Sequence, residues 1–186
     1  NFIENAHNVF TIPPKKIVYI YTVWQDKFQI CKDKNPHVEF TDSLDNVKDH
    51  LSTEDQLLLI IDDAQNRITK GDALEAIEHL FTICTNHCKL TLCLVLHSWS
   101  IPKLNLILNQ CAYVFFFRVR DVSALIQLGR QSFVYERGFL IKCHRRVTAQ
   151  KYTPLIIIFH CDVDSPYARN TLLPSENTEC YFPSYA

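Results

Sequence analysis

The feature that most constrains the fold is an uninterrupted apolar run, Leu57–Ile61, followed directly by Asp62 and Asp63. A strand with both faces buried has this composition, because neither face meets water. Such strands belong mostly to parallel sheets that are covered by helices on both sides. Ligands bind to these sheets outside the carboxyl ends of the strands, so two carboxylates at this position are candidates for chemistry.

The rest of the chain alternates between two patterns. Short apolar or β-branched runs predict strands at residues 17–22, 38–41, 57–61, 90–96, 112–117, 138–143 and 155–160. Apolar residues at three- and four-residue steps predict helices at 72–85, 103–111 and 122–133, the last capped by Asp121 or Ser123. This order favours βαβ units and a mainly parallel sheet. We therefore predict one α/β domain over residues 1–164 and a surface tail over 165–186, where Pro, Ser and Asn are frequent.

Glycine is scarce in this chain. Only Gly71, Gly129 and Gly138 occur among 186 residues, whereas average usage of about 7% would give about 13. No two of them are five positions apart, so the phosphate-binding pattern G-x-x-x-x-G-K-[ST] is excluded within these residues. The dinucleotide-binding pattern G-x-G-x-x-G is excluded for the same reason.

The cysteines favour a reducing compartment over a disulfide framework. Cys93 and Cys161 lie in apolar runs, where a reduced cysteine packs as a small hydrophobic residue. A group formed by Cys84, His87, Cys88 and Cys93 lacks a second ligand pair at zinc-finger spacing. Neither a signal peptide nor an apolar run long enough to span a membrane is visible. We expect an intracellular location, cytoplasm or nucleus, and no membrane partner.

Two strand ends in the first half of the chain carry candidate site residues. Asp62 is suited to hold hydrated Mg²⁺, and Asp63 to orient or activate an attacking water. The alternative is a strand that ends in a polar turn, where Asp is common. His97 and Ser98 follow the next predicted strand and could contact a phosphate or hold the water, or could simply be solvated.

The second half of the chain carries a basic surplus. Residues 118–169 contain nine Lys or Arg against four Asp or Glu, whereas residues 1–117 contain ten against fourteen. Arg118 and Arg120 follow the strand at 112–117, where a guanidinium can bind phosphate with two parallel hydrogen bonds. The alternative for Arg120 is a surface ion pair with Asp121 or Glu136.

The same surplus makes an acidic partner possible. Lys142, Arg145 and Arg146 are the candidate contacts to a nucleic-acid backbone. The alternative is that these side chains form only a solvated face.

In their order and spacing, these segments resemble the DNA-packaging ATPases of Polinton/Maverick elements, adintoviruses and related viruses. Those proteins are relatives of the poxvirus packaging ATPase within the FtsK/HerA class of P-loop NTPases. The resemblance runs from about Lys15 to Pro174, and residues 57–63 resemble the Walker B strand of the family. The other matching segments are 17–28, with Tyr21, Gln25 and Phe28 in place, and 86–91, 96–98, 108–121 and 172–174.

The resemblance implies a P-loop NTPase-like three-layer α/β core whose P-loop strand and loop would lie ahead of residue 1. It implies ATP and Mg²⁺ as cofactors, with Asp62 holding the metal through water and Asp63 as the catalytic carboxylate. His97 and Ser98 would contact phosphate or water, although the family has Gln and Asn at these positions. Arg120 would act on the nucleotide of a neighbouring subunit.

The partners implied are double-stranded DNA, viral capsid or portal proteins, and further copies in a homo-oligomeric ring. Two other interpretations stay open from the sequence. The chain could be a degenerate, non-catalytic remnant that at most binds partners. It could also be a metal-dependent nuclease that uses Asp62 and Asp63 with Asp162 and Asp164.

Overall fold

The structure, a computed structural model, describes residues 2–45, 47–63, 71–99, 104–159, 166–173 and 176–184. The chain separates into two compact units, residues 1–110 and 111–186. The first unit contains α1 (Ala6–Val9), β1 (Lys16–Ile20), α2 (Asp26–Lys34), β2 (Val38–Thr41), α3 (Val47–His50), β3 (Leu57–Ile61), α4 (Gly71–His79), a π-helical turn (Leu80–Cys84), α5 (Thr85–His87), β4 (Leu90–Leu94) and α6 (Leu104–Leu108). The second contains β5 (Tyr113–Phe116), α7 (Ser123–Ser132), α8 (Phe139–Val147), β6 (Leu155–Ile158), β7 (Tyr167–Arg169) and β8 (Cys180–Tyr181).

The first unit is built on a parallel sheet in the order β2–β1–β3–β4. All five residues of β3 are buried, as its continuous apolar sequence predicts. Val38 on β2, Ile17 on β1 and Leu58 on β3 pair across the sheet, and they pack in one apolar cluster that includes Ala6 of α1. The predicted α/β fold with a mainly parallel sheet is confirmed here.

The helix predicted at residues 72–85 forms as α4 and the π-helical turn after it. Ile77, Leu80, Phe81 and Cys84 are buried, so the apolar face expected from the sequence is the face that packs inward. The sequence pattern did not reveal the change from α-helical to π-helical winding.

The second unit is built on an antiparallel sheet in the order β5–β6–β7–β8. The strand predicted at 138–143 is wrong, because these residues begin helix α8. Phe139, Leu140, Cys143 and Val147 are buried, which is a helical period, while Lys142, Arg145 and Arg146 between them are exposed. The run 138–143 is too short to separate the two periods, and only the residues after it decide for a helix.

The helix predicted at 122–133 is confirmed as α7. The Asp121 carboxylate accepts hydrogen bonds from the Ser123 amide and from the Ser123 hydroxyl, both at 2.9 Å. The N-cap of α7 is Val122, which makes no side-chain cap hydrogen bond, so neither predicted cap residue occupies that position. Asp121, one residue earlier, instead supplies the acceptor for the first amide of the helix.

The organisation of the C-terminal region differs from the expectation. Part of the segment predicted as a tail forms β7 and β8, which pair in the second sheet. The predicted single domain 1–164 also runs across the division between the two units at residues 110 and 111. Asp162 and Asp164, proposed above for a nuclease, lie outside the described residues.

Two further expectations concern the whole chain. Among the cysteines that the structure describes, none is joined in a disulfide. No helix in the described ranges is both long enough and apolar enough to span a membrane.

Candidate functional site

Three parallel strands end together at one edge of the first sheet. β1 ends at Ile20, β3 at Ile61 and β4 at Leu94, and the backbone pairing continues one step further. The Asp62 amide donates to the Ile20 carbonyl at 2.9 Å, and the Val95 amide donates to the Ile61 carbonyl at 2.9 Å. The residues after these strands therefore start from fixed backbone positions at a common edge.

Asp62 is held by a residue of the neighbouring strand. The Tyr19 hydroxyl donates to Oδ2 of Asp62 at 2.6 Å. Burial raises the pKa of Tyr19 above its ordinary value, and the hydrogen bond to Asp62 raises it further, so the hydroxyl stays protonated and remains a donor. The pKa of Cys93 on β4 is raised to about 11, first by burial and then by the charge of Asp62.

Asp63 forms the turn that follows. Its φ is 49°, in the left-handed region that Asp tolerates better than most residues. The Thr22 hydroxyl donates to the Asp63 carbonyl oxygen at 3.1 Å, which ties this turn to the residues after β1. The Asp63 side chain is 50% exposed, and its Oδ1 lies 4.0 Å from Nε2 of His97.

The structure thus brings Asp62, Asp63 and His97 together. His97 and Ser98 are both exposed beyond the end of β4. The carboxylates and imidazole share the edge predicted from the strand order, with Asp62 anchored in the sheet and Asp63 open to solvent. This arrangement can hold a hydrated cation and a polarised water at neighbouring positions.

An aromatic cluster backs the site. The Tyr19 ring lies 5.2 Å from Phe28 and 5.4 Å from Phe40, measured between ring centroids. Trp24 and Tyr21 extend the cluster to the surface, 5.4 Å apart. Phe28 and Phe40 stack at 5.3 Å, which fixes the ring of Tyr19 from the α2 and β2 side.

Tyr19 and Thr22 were missed by the sequence reasoning. Tyr19 pairs in register with Ile60, two residues before Asp62, and alternation puts Tyr19 and Asp62 on one face of the sheet. A hydroxyl-bearing residue in a strand beside the acidic strand was the available signal. That signal identifies Tyr19 only when the register of β1 against β3 is known, and the sequence does not give the register.

Arg120 belongs to the second unit, where it is exposed after β5. The ion pairs considered for it are not formed within the described residues. Asp121 bonds to Ser123, and Glu136 pairs with Lys142 at 3.2 Å and accepts from the Ser184 amide at 3.1 Å. These contacts, that to Ser184 first, lower the pKa of Glu136.

The three predicted nucleic-acid contacts lie on α8 and differ in their surroundings. Lys142 is paired with Glu136, and Arg146 lies 3.4 Å from Glu179 and over the Tyr181 ring. Arg145 is exposed and makes no ion pair within the described ranges. Of the three cations, only Arg145 is not already neutralised locally.

Carboxylates are the side chains that this edge offers to a metal ion. No group of three or more His, Cys, Asp or Glu side chains suited to hold a metal is found among the described residues, so neither the cysteines nor this edge forms a complete metal site from protein ligands alone. Magnesium is commonly bound by one or two carboxylates, with water and phosphate oxygens completing the shell. Asp62 can supply one such carboxylate.

Comparison with solved structures finds similarity to the genome packaging NTPase B204 from Sulfolobus turreted icosahedral virus 2. The structure of B204 in complex with AMP matches with a TM-score of 0.52 and 14% identity, over 98% of this chain and 88% of that chain. The complex with AMPPCP gives 0.52 and 15%, over 98% and 88%, and the complex with sulfate gives 0.51 and 13%, over 98% and 85%. At this identity the likeness establishes a shared fold. No family model and no curated protein sequence matches the chain.

Proposed function

We propose that this chain is a fragment of a viral or transposon-type genome-packaging ATPase of the FtsK/HerA class, related to those of Polinton elements and adintoviruses. One observation carries the proposal. Asp62 and Asp63 leave the carboxyl end of a strand buried in a parallel sheet, with His97 4.0 Å from Asp63, in a fold shared with a packaging NTPase. Residues 57–63 then act as a Walker B segment.

The residues at this edge would have different roles in ATP hydrolysis. Asp62 would hold Mg²⁺ through water, and the ion when bound neutralises charge on the phosphate oxygens of ATP. Asp63, half exposed in its turn, accepts a hydrogen bond from the attacking water and orients it. His97 lies next to this carboxylate and, with Ser98, supplies polar groups for the water or the terminal phosphate.

A phosphate-binding loop is required for tight ATP binding, and these 186 residues contain none. The proposed activity therefore requires a phosphate-binding loop in addition to these 186 residues. Arg120 would reach the nucleotide of a neighbouring subunit in a homo-oligomeric ring. Hydrolysis would drive double-stranded DNA towards a capsid or portal protein, in the nucleus or cytoplasm where virions assemble.

The test is DNA-stimulated ATP hydrolysis by the chain expressed together with the residues encoded directly upstream. We expect Asp63→Asn to lower kcat by at least about 100-fold, because the carboxylate that orients the water is lost. Asp55→Asn is the matched control, since Asp55 pairs with Lys15 just before β3 begins, at the opposite end of that strand. It should leave kcat unchanged.

Two results would contradict the proposal in different ways. Hydrolysis that is equal in Asp63→Asn and the unsubstituted protein would remove the catalytic role of Asp63. Folded protein with neither nucleotide binding nor hydrolysis would favour the degenerate, non-catalytic interpretation, for which the replacement of Gln by His97 is the supporting feature.

A further inference from the structure

We propose that Tyr19 is the positioning residue of Asp62, and that its hydroxyl decides which carboxylate oxygen is presented to the divalent cation. The inference rests on the proposed function, because it assigns the metal to Asp62. It gives a role to Tyr19, to which the family resemblance assigns none.

The backbone places the two residues before any side-chain contact is considered. Tyr19 and Ile60 are register partners in the parallel pair β1–β3, and Asp62 lies two residues beyond Ile60. Side chains two positions apart along a strand share a face. The Asp62 amide also donates to the Ile20 carbonyl, so the residue cannot shift relative to β1.

The hydroxyl then distinguishes the two carboxylate oxygens. Oδ2 accepts from Tyr19 at 2.6 Å, and within the described ranges no side chain or amide bonds to Oδ1. The final torsion of an Asp side chain is broad and nearly two-fold symmetric, so an unheld carboxylate exchanges its oxygens freely. Tyr19 removes that freedom and leaves Oδ1 as the oxygen for the cation or its water.

The Tyr19 ring is itself held. Phe28 of α2 and Phe40 of β2 contact it at centroid distances of 5.2 Å and 5.4 Å. Hydrogen-bond partners of metal-binding side chains typically change metal affinity by 10–100-fold when they are removed. A partner on a rigid strand, packed between rings, satisfies the requirement for such an effect.

The experiment uses the 186-residue chain with Mn²⁺ alone as the probe, followed by the broadening of backbone amide signals in NMR spectra. Mn²⁺ broadens signals close to it even at low occupancy, so weak binding is measurable. We expect broadening centred on Asp62 and Asp63 that is lost in Asp62→Asn. Tyr19→Phe should raise the Mn²⁺ concentration for half-broadening by about 10-fold.

Tyr21→Phe is the matched control, because Tyr21 lies in the same aromatic cluster and makes no hydrogen bond to Asp62. Its half-broadening concentration should equal that of the unsubstituted chain. A purely structural role of the Tyr19 hydroxyl would lower the unfolding midpoint without changing this concentration.

The outcomes separate the two claims. If Tyr19→Phe binds Mn²⁺ as tightly as the unsubstituted chain while Asp62→Asn does not bind, the positioning role is overturned and the metal assignment stands. If the unsubstituted chain shows no broadening at Asp62, the metal assignment fails and the positioning role falls with it.

A second measurement does not depend on a Tyr19 variant. The ring ¹³Cζ signal of Tyr19 responds to the hydrogen bond that its hydroxyl donates, so Asp62→Asn should shift it. The Tyr21 signal should stay in place. An unshifted Tyr19 signal would overturn the inference.

Discussion

Strands β3 and β6 have nearly the same sequence character and opposite surroundings. β3 reads LLLII and β6 reads LIII, and every residue of both is buried. β3 is flanked by parallel strands, whereas β6 is flanked by antiparallel ones. A continuous apolar run therefore predicts burial on both faces and does not predict the direction of the neighbours.

The connections explain the difference. From β3 to β4 the chain passes once along the sheet through α4, the π-helical turn and α5, which returns it to the starting edge. From β5 to β6 it passes through two helices, α7 and α8, which pack against each other. The two helices return the chain to the edge of the sheet at which β5 ended. β6 starts from that edge and therefore runs antiparallel to β5.

This difference determines where side chains that follow strand ends can lie close together. In the parallel sheet all strands end at one edge, and Asp62, Asp63 and His97 meet there. In the antiparallel sheet successive strands end at opposite edges. Arg120 after β5 therefore has no strand-end partner from β6 at its own edge.

The largest predicted effect tests whether burial alone sets the stability of the two central strands. Leu59 in β3 and Ile157 in β6 are both completely buried. Replacing either with Ala should cost about 3 kcal/mol of unfolding free energy, from lost apolar burial and the cavity left behind. Urea unfolding followed by circular dichroism measures both.

Ile12→Ala is the exposed control, since Ile12 is 71% accessible, and it should change the unfolding free energy by less than about 0.5 kcal/mol. A loss for only one of the two buried positions would show that strand direction matters beyond burial.

The next prediction concerns the buried histidine of the second unit. His144 on α8 is only 3% exposed, and its Nε2 contacts the Phe117 carbonyl oxygen at 2.9 Å. His144→Leu keeps the volume and removes the donor, so we expect a loss of about 1–2 kcal/mol in urea unfolding. His144→Gln, which retains an N–H donor, should recover part of it, and His37→Leu at an exposed position should have little effect.

Full stability in His144→Leu would show that α8 does not anchor the end of β5. In the first unit, backbone hydrogen bonds between parallel neighbours hold the ends of β3 and β4.

The fold of the first unit could be predicted from its sequence, and that of the second only in part. Residues 38–41 and 57–61 were assigned as strands with the bounds that the structure shows. The run 138–143 failed because six apolar-rich residues fit both periods, and this error also concealed the two-helix connection that reverses β6. Local sequence patterns determine which segments form helices and strands. The relative direction of two neighbouring strands depends on how many helices connect them.

The candidate site shows the same limit. Asp62, Asp63 and His97 follow strands, so the sequence pointed to them. Tyr19 lies inside a strand and acquires its contact only through the register with Ile60. Tyrosine is common in β-strands, so nothing in the local sequence distinguishes Tyr19 from Tyr21.

A smaller effect is predicted for DNA binding by the second unit. Arg145→Ala should weaken binding to a double-stranded oligonucleotide several-fold, because an unpaired cation is removed. The slope of log K against log salt concentration should fall in magnitude by about one. Lys142→Ala should do less, since Lys142 is already paired with Glu136. Fluorescence anisotropy at several salt concentrations measures both.

Lys34→Ala on α2 of the first unit is the matched control and should leave binding unchanged. Equal losses for Lys34→Ala and Arg145→Ala would remove the contrast between an acidic first unit and a basic second unit.

The smallest effect concerns Asp121, which accepts hydrogen bonds at the start of α7 in the second unit. Hydrogen bonds from the Ser123 amide and then the Ser123 hydroxyl lower the pKa of Asp121. A lowered pKa in the folded state means that the stabilisation is complete above the unfolded-state pKa and is lost as pH falls through the folded-state pKa.

The unfolding temperature of the unsubstituted chain should exceed that of Asp121→Ala by a small, constant amount from neutral pH down to about pH 5. Below that the difference should shrink, because protonation of Asp121 removes the charge that both hydrogen bonds favour. Asp121→Asn keeps a side-chain oxygen acceptor that does not titrate, so its difference from Asp121→Ala should persist into acid. Thermal unfolding at a series of pH values measures both differences. A difference that does not shrink in the unsubstituted chain would mean that the ionised carboxylate is not what stabilises the start of α7.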